Sequence, residues 1–334
     1  MTEAETGRRQ GSVWSWLPGV LISAVAVFFL LRAVDWAALS DALRRISWGA
    51  IALAFVLSIG SVFARSLGWK VILGRGATLR EAFFGVNEGY LFNNILPFRA
   101  GELARAYLVG RSTNLGGMHV LSSIVIERAY DLVITAGLLL GTLPLALGLA
   151  WARPVALVVL GLVIAGLVAL YLAARFRQNI GDWVERISGG RPFLQKNVQP
   201  HLKSLLEGLS VLTSPGLFVA SLACLALAWA IAGLSNYVVL QAVVPQAPLW
   251  WAALSLGMLG LGVALPAAPA SIGVYEGALV ASLTVVGVDA NSGLAFALIV
   301  HFISIIGTAI FGAYGLFQEK ISLQAVIPHL RRRA

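Results

Sequence analysis

The stretch Asn93-Asn94-Ile95-Leu96-Pro97-Phe98-Arg99-Ala100-Gly101-Glu102-Leu103-Ala104-Arg105 decides the fold. It sets a proline and several ionisable side chains inside an otherwise apolar region. Upstream, 81–96 is apolar but holds Asn87 and Glu88; downstream, 99–111 keeps helical spacing but is charged. Pro97 ends one half-helix and can occupy the first turn of the next. Two arms meeting at a break near membrane depth predict a re-entrant helical hairpin over about 81–112.

A second break has the same form. Apolar arms at 249–265 and 273–288 flank Pro266-Ala-Ala-Pro269-Ala-Ser-Ile-Gly273. Pro97-Phe-Arg-Ala-Gly101 and Pro269-Ala-Ser-Ile-Gly273 are both Pro-x-x-x-Gly. Each break holds a Leu-Pro pair, Leu96-Pro97 or Leu265-Pro266, and a glutamate follows each glycine, Glu102 directly and Glu276 three residues on. Around the breaks lie six apolar stretches, 13–31, 48–64, 119–143, 154–174, 215–240 and 294–317, each near the roughly 20 residues a span requires. The reading is an all-α polytopic membrane protein with about six full transmembrane helices and two opposed re-entrant hairpins in an inverted repeat. The first repeat covers 13–150 and the second 151–318, between a tail at 1–12 and a basic tail at 319–334. Segment 35–47 reads as an amphipathic helix in the interface, since Trp36, Leu39, Leu43 and Ile46 share one face. Segment 175–213 reads as a cytoplasmic amphipathic interlude with two such patterns, parted by Gly189 and Gly190.

Composition agrees. Of 334 residues, 59% are hydrophobic and 12% charged, against about 45–50% and 25% in soluble domains. That excludes an ordinary soluble enzyme, a disordered chain and a secreted disulfide scaffold; the single Cys224 excludes an internal disulfide. The run from Val13 reads as a retained span rather than a cleaved signal. With the N-terminus in the cytoplasm and each hairpin returning to its own side, 19 Lys and Arg fall inside and 4 outside. Cytoplasmic loops carry the excess of positive charge, so both termini are expected in the cytoplasm of a cell-membrane protein. The net charge of +9 is then a matter of topology and anionic headgroups, not nucleic acid. Seven tryptophans, at 14, 16, 36, 48, 151, 250 and 251, sit at span ends as an interfacial belt.

A charged residue at bilayer depth costs about 2.5–3.5 kcal/mol even on the gentlest scale, so it should face a cavity, pair or do work. Arg99, Glu102 and Arg105 are three apart, on one face of the second hairpin arm. With Asn93, Asn94 and the free N–H groups of a half-helix, they suit an anion such as a lipid phosphate. Alternatively, an Arg–Glu pair merely neutralises the hairpin. Glu127 and Asp131 share a face about three turns into their span, with Arg128 beside them. They could bind a cationic headgroup or carry a proton, or be tied to arginines as structural glue. Ser271, Tyr275 and Glu276 at the second break form a third group, again at a half-helix N-terminus. Gly85-x-x-x-Gly89 and Gly273-x-x-x-Gly277 suit close helix packing. The four histidines lack metal-ligand spacing, and His301 reads as a satisfied intramembrane histidine. No nucleotide-binding loop or nucleophile elbow is present, so no metal, cofactor or ATP is expected.

These three motifs, in this order over roughly 13–318, resemble the flippase-like transmembrane family named for the membrane region of lysylphosphatidylglycerol synthases. The resemblance implies translocation of lipids with polar headgroups: anionic, aminoacylated or polyprenyl-phosphate-linked. It also implies that Asn94, Pro97, Arg99, Gly101, Glu102, Arg105, Glu127, Arg128, Asp131, Pro269, Gly273 and Glu276 line the path. The aminoacyl-transferase domain of the bifunctional synthases is not among these 334 residues, so lipid synthesis is not expected. His301 stands where an arginine would be expected. The sequence therefore predicts a non-enzymatic lipid translocase. Two other classes compete: a membrane-embedded transferase with its donor site in 175–213, and a non-catalytic partner that docks a separate lipid or glycan enzyme there.

Overall fold

The computed structural model describes residues 17–96, 100–147, 152–188, 199–263 and 267–321. The tail at 1–12, residues 322–334 of the basic tail, Pro97, Arg99, Pro266 and the Gly189-Gly190 linker lie outside these. All regular structure among the described residues is helical: α1 (Leu17–Ala33), α2 (Trp36–Arg45), α3 (Trp48–Leu73), α4 (Leu79–Ile95), α5 (Gly101–Ser112), α6 (Gly117–Leu147), α7 (Ala152–Arg175), α8 (Arg177–Ser188), α9 (Gln199–Gly208), α10 (Pro215–Val243), α11 (Leu249–Gly262), α12 (Val274–Thr284) and α13 (Ala290–Gln318). Four described helices, α3, α6, α10 and α13, are long and apolar enough to cross a membrane. α1 and α2, bent by 92° at their junction, bring the number to five if they act as one span. The chain is thus an all-α polytopic membrane protein.

Several boundaries differ from those read in the sequence, each for a local reason. α3 does not stop at Ala64 but runs to Leu73, where Gly74 takes a φ of 75° and turns the chain. Its last turns carry Trp69, Ile72 and Leu73, all buried, so packing rather than lipid continues the helix. α4 then starts at a capping box, Thr78 with Glu81, which satisfies the first N–H groups reciprocally. α2 is amphipathic as expected, yet it buries Leu39, Ala42 and Ile46 against α10 and α13 and leaves Trp36 outward. It is a tied-down element of the bundle. α9 likewise docks against α6 and buries Leu206.

α4 and α5 pack on one another as a hairpin, and so do α11 and α12. Each first arm also packs on the last long helix of the opposite half, α4 on α13 and α11 on α6. α3 and α10 form the most extensive contact and run antiparallel. Ser61 Oγ donates to the Ala228 carbonyl at 2.8 Å, and Ser235 Oγ donates to the Ala54 carbonyl at 2.8 Å. Residues 61 and 235 are 174 apart, as are 54 and 228, so exchanging the halves by 174 residues maps this pair of bonds onto itself. Glu102 and Glu276 obey the same offset.

The glycines of the two breaks are not equivalent. A Cβ at Gly89 would press on Arg105 and the Gly101 carbonyl, and one at Gly85 on Val109, so both permit close packing of α4 on α5. A Cβ at Gly277 would meet open space, which removes packing as its reason. Gly277→Ala is therefore expected to be neutral or stabilising, by no more than about 1 kcal/mol, the helix-interior preference for alanine. Thermal unfolding in detergent checks this; a loss of stability would contradict it.

Candidate functional site

Glu127 sits at the centre of a buried ion network. α6 carries it, and helical spacing places Asp131 one turn along the same face. Glu127 is fully buried and meets Arg65 of α3 at 2.8 Å, Arg105 of α5 at 2.8 Å and Arg128 at 3.0 Å. Asp131 receives a two-pronged contact from Arg65, at 3.0 and 2.9 Å. It also meets Arg128 at 3.2 Å and accepts a hydrogen bond from Trp229 Nε1 at 2.7 Å. Glu102 lies 3.9 Å from Arg128 Nε. Arg105 stacks 3.4 Å from the Trp69 ring centroid, and Trp69 is itself held by a 2.9 Å bond to Ser123. Three arginines therefore face three carboxylates in a largely buried site. Charges so placed are retained only when paired and hydrogen-bonded.

The network forms one wall of a cavity of about 490 Å³. On that wall stand Arg65, Tyr90, Asn93, Asn94, Glu102, Arg128 and Asp131. The opposite wall comes from the second half: Ser271, Tyr275, His301, Ser304 and Thr308. α10 contributes Trp229, Ser235 and Asn236. The cavity thus joins the three groups of residues that the sequence kept apart.

The second break is built by backbone in the left-handed region. Ala270 and Ser271 have φ of 55° and Gly273 has φ of 83°. Such conformations cost on the order of 1 kcal/mol or more at a non-glycine residue, and they gather at functional sites. Gly273 N–H donates to Glu276 Oε2 at 2.7 Å, which caps α12. Glu276 Oε1 meets His301 Nδ1 at 2.6 Å, and the Tyr275 ring stacks on the His301 ring at 3.9 Å and 6°.

Seven expected site residues reach the cavity: Asn93, Asn94, Glu102, Arg128, Asp131, Ser271 and Tyr275. Asn93 also accepts the Gly101 N–H at 2.8 Å, closing the hairpin, and Asn94 bonds Thr308 at 3.1 Å. Glu127 and Arg105 stand behind the wall, as supports rather than lining. Glu276 reaches the cavity only through His301. Of the two readings open for Glu127 and Asp131, their geometry is that of pairing with arginines. Arg99, Pro97 and Pro266 lie outside the described residues; Pro269 opens the short turn Pro269–Ser271.

Arg65, Trp69 and Trp229 were not picked out as site residues by sequence reading. Arg65 directly follows the apolar stretch 48–64, and the helix continues past it to Leu73. Trp69 and Trp229 fall outside the interfacial belt, and a mid-span indole N–H needs a partner. Among the described residues no group of three His, Cys, Asp or Glu is placed to hold a metal ion. A family model described as the lysylphosphatidylglycerol synthase TM region matches residues 16–312. No curated protein matches the chain.

Proposed function

The chain belongs to the family of lysylphosphatidylglycerol synthase membrane regions, and from that premise we propose that it carries a lipid with a phosphate-bearing headgroup from one leaflet to the other. The observation that carries this reading is the cavity of about 490 Å³ walled by both halves and by a buried arginine–carboxylate network. Its volume lies within the range of small-ligand sites, roughly 300–1,000 Å³. It suits a headgroup while the acyl chains stay in the bilayer.

Arg128 is the residue for the phosphate. It is the most exposed arginine of the network, with a quarter of its side chain accessible. Its Nε has no hydrogen-bond partner among the described residues. Glu127 and Asp131 hold it in place, so little reorganisation accompanies binding.

The exchange of halves at α3 and α10 supports an inverted repeat, and hence alternating access by rocking one half on the other. The Lys and Arg bias supports a cell-membrane protein with both termini in the cytoplasm. On this reading the protein makes no bond; it serves a separate enzyme that makes or uses the lipid.

Reconstitution tests this. Vesicles containing the protein should move fluorescent phosphatidylglycerol between leaflets faster than empty vesicles. Arg128→Ala should slow it ten- to about a hundredfold, the worth of a charged hydrogen bond of about 1.5–3 kcal/mol. A rate equal to that of empty vesicles would overturn the reading.

A further inference from the structure

Among the described residues, the arginine cluster brings no net charge to the cavity. Arg65, Arg105 and Arg128 are matched by Glu102, Glu127 and Asp131. A phosphate at Arg128 adds a negative charge that a cation on the facing wall would help to hold. His301 is the described residue of that wall able to gain one.

Its surroundings suit that task. His301 is 5% exposed and lines the cavity. Nδ1 is fixed by Glu276 at 2.6 Å, and Nε2 has no partner among the described residues. With the proton of the neutral ring held at Nδ1 by the Glu276 carboxylate, Nε2 turns a bare lone pair to the cavity, which repels a phosphate oxygen. A proton at Nε2 makes it a donor instead. Glu276 and the Tyr275 ring face then stabilise the imidazolium.

We propose that His301 takes up one proton at Nε2 as the phosphate headgroup binds, and releases it when the headgroup leaves. Glu276 is the positioning residue. The inference rests on the lipid-carrier reading above and gives that carrier a proton-linked phosphate clamp, Arg128 on one wall and His301 on the other.

Other ionisable groups are accounted for. α12 brings Tyr275 and Glu276 to His301. Across the cavity stand Arg65 of α3, Tyr90 of α4, Glu102 of α5, and Arg128 and Asp131 of α6. α10 and α11 bring none to it. α2 packs on α13 but turns Asp41, Arg44 and Arg45 outward. Glu88 of α4 lies against Gly315, near the other end of α13.

The test is calorimetric titration of the full chain in detergent with dihexanoylphosphatidylglycerol, whose phosphodiester keeps a fixed charge across neutral pH. Two buffers of different ionisation enthalpy report protons bound per lipid. The wild-type chain is expected to take up close to one proton per lipid at about pH 8, where an ordinary histidine is neutral. Its affinity should fall about tenfold per pH unit above that. His301→Gln should bind more weakly, without proton uptake and without pH dependence. His301→Arg, a fixed cation, should bind well, also without proton uptake. Glu276→Gln should move the uptake to lower pH, which a merely structural residue would not do. Binding by the wild-type chain with no proton uptake, or uptake unchanged in His301→Gln, overturns the inference and leaves the carrier reading standing. Absence of lipid binding by the wild-type chain overturns both.

Discussion

Glu127→Ala is expected to destabilise the protein by about 3–5 kcal/mol, the cost of leaving buried charge without its partner. The effect is large because one carboxylate serves Arg65, Arg105 and Arg128, at 2.8, 2.8 and 3.0 Å. Without it three guanidinium groups face each other around a fully buried point, with Asp131 and Glu102 left to balance them. α3, α5 and α6 meet through these arginines, so the loss reaches the first hairpin and its supporting helices together. Glu127→Gln keeps the shape and loses the charge, and should fall between wild type and alanine. Thermal unfolding in detergent checks the order. A loss below about 1 kcal/mol, the scale of an exposed ion pair, would contradict it.

Gly101→Ala is the second large effect. A Cβ there would fall on the Gly89 carbonyl oxygen, which cannot yield without parting α4 from α5, and on the Asn93 side-chain amide. The expected loss is about 2–4 kcal/mol, from overpacking and the Gly101 N–H bond to Asn93. Asn93 lines the cavity, so lipid transport should fall along with stability. Gly277→Ala, in the corresponding arm of the other half, is the control. Equal effects from the two would mean that the hairpin contact does not close as described.

The first of these sites was half legible in the sequence. Pro97 and Gly101 mark the break, and helical spacing sets Glu127 and Asp131 on one face; both are local facts. Arg65 was not legible as their partner, because it lies 62 residues from Glu127 and 66 from Asp131 in the chain. Its charge also has a ready alternative use, in orienting the protein. α2 shows the same division. Its apolar face is plain, but the sequence does not say whether lipid or α10 and α13 will cover it. For His301 the residue was visible and its role was not. What distinguishes it is Glu276, 25 residues away, and an open side toward the cavity. Patterns within one helix carry through to structure, whereas pairings between helices depend on how the helices pack.

On this reading the headgroup passes through the cavity. Ser304 lines it, and Cys224 is the single native cysteine. In a Cys224→Ser, Ser304→Cys chain reconstituted in vesicles, a bulky disulfide-forming thiol reagent should reduce phosphatidylglycerol movement to the rate of empty vesicles, and reduction should restore it. Movement at the full rate with the Ser304→Cys thiol completely labelled would contradict the account.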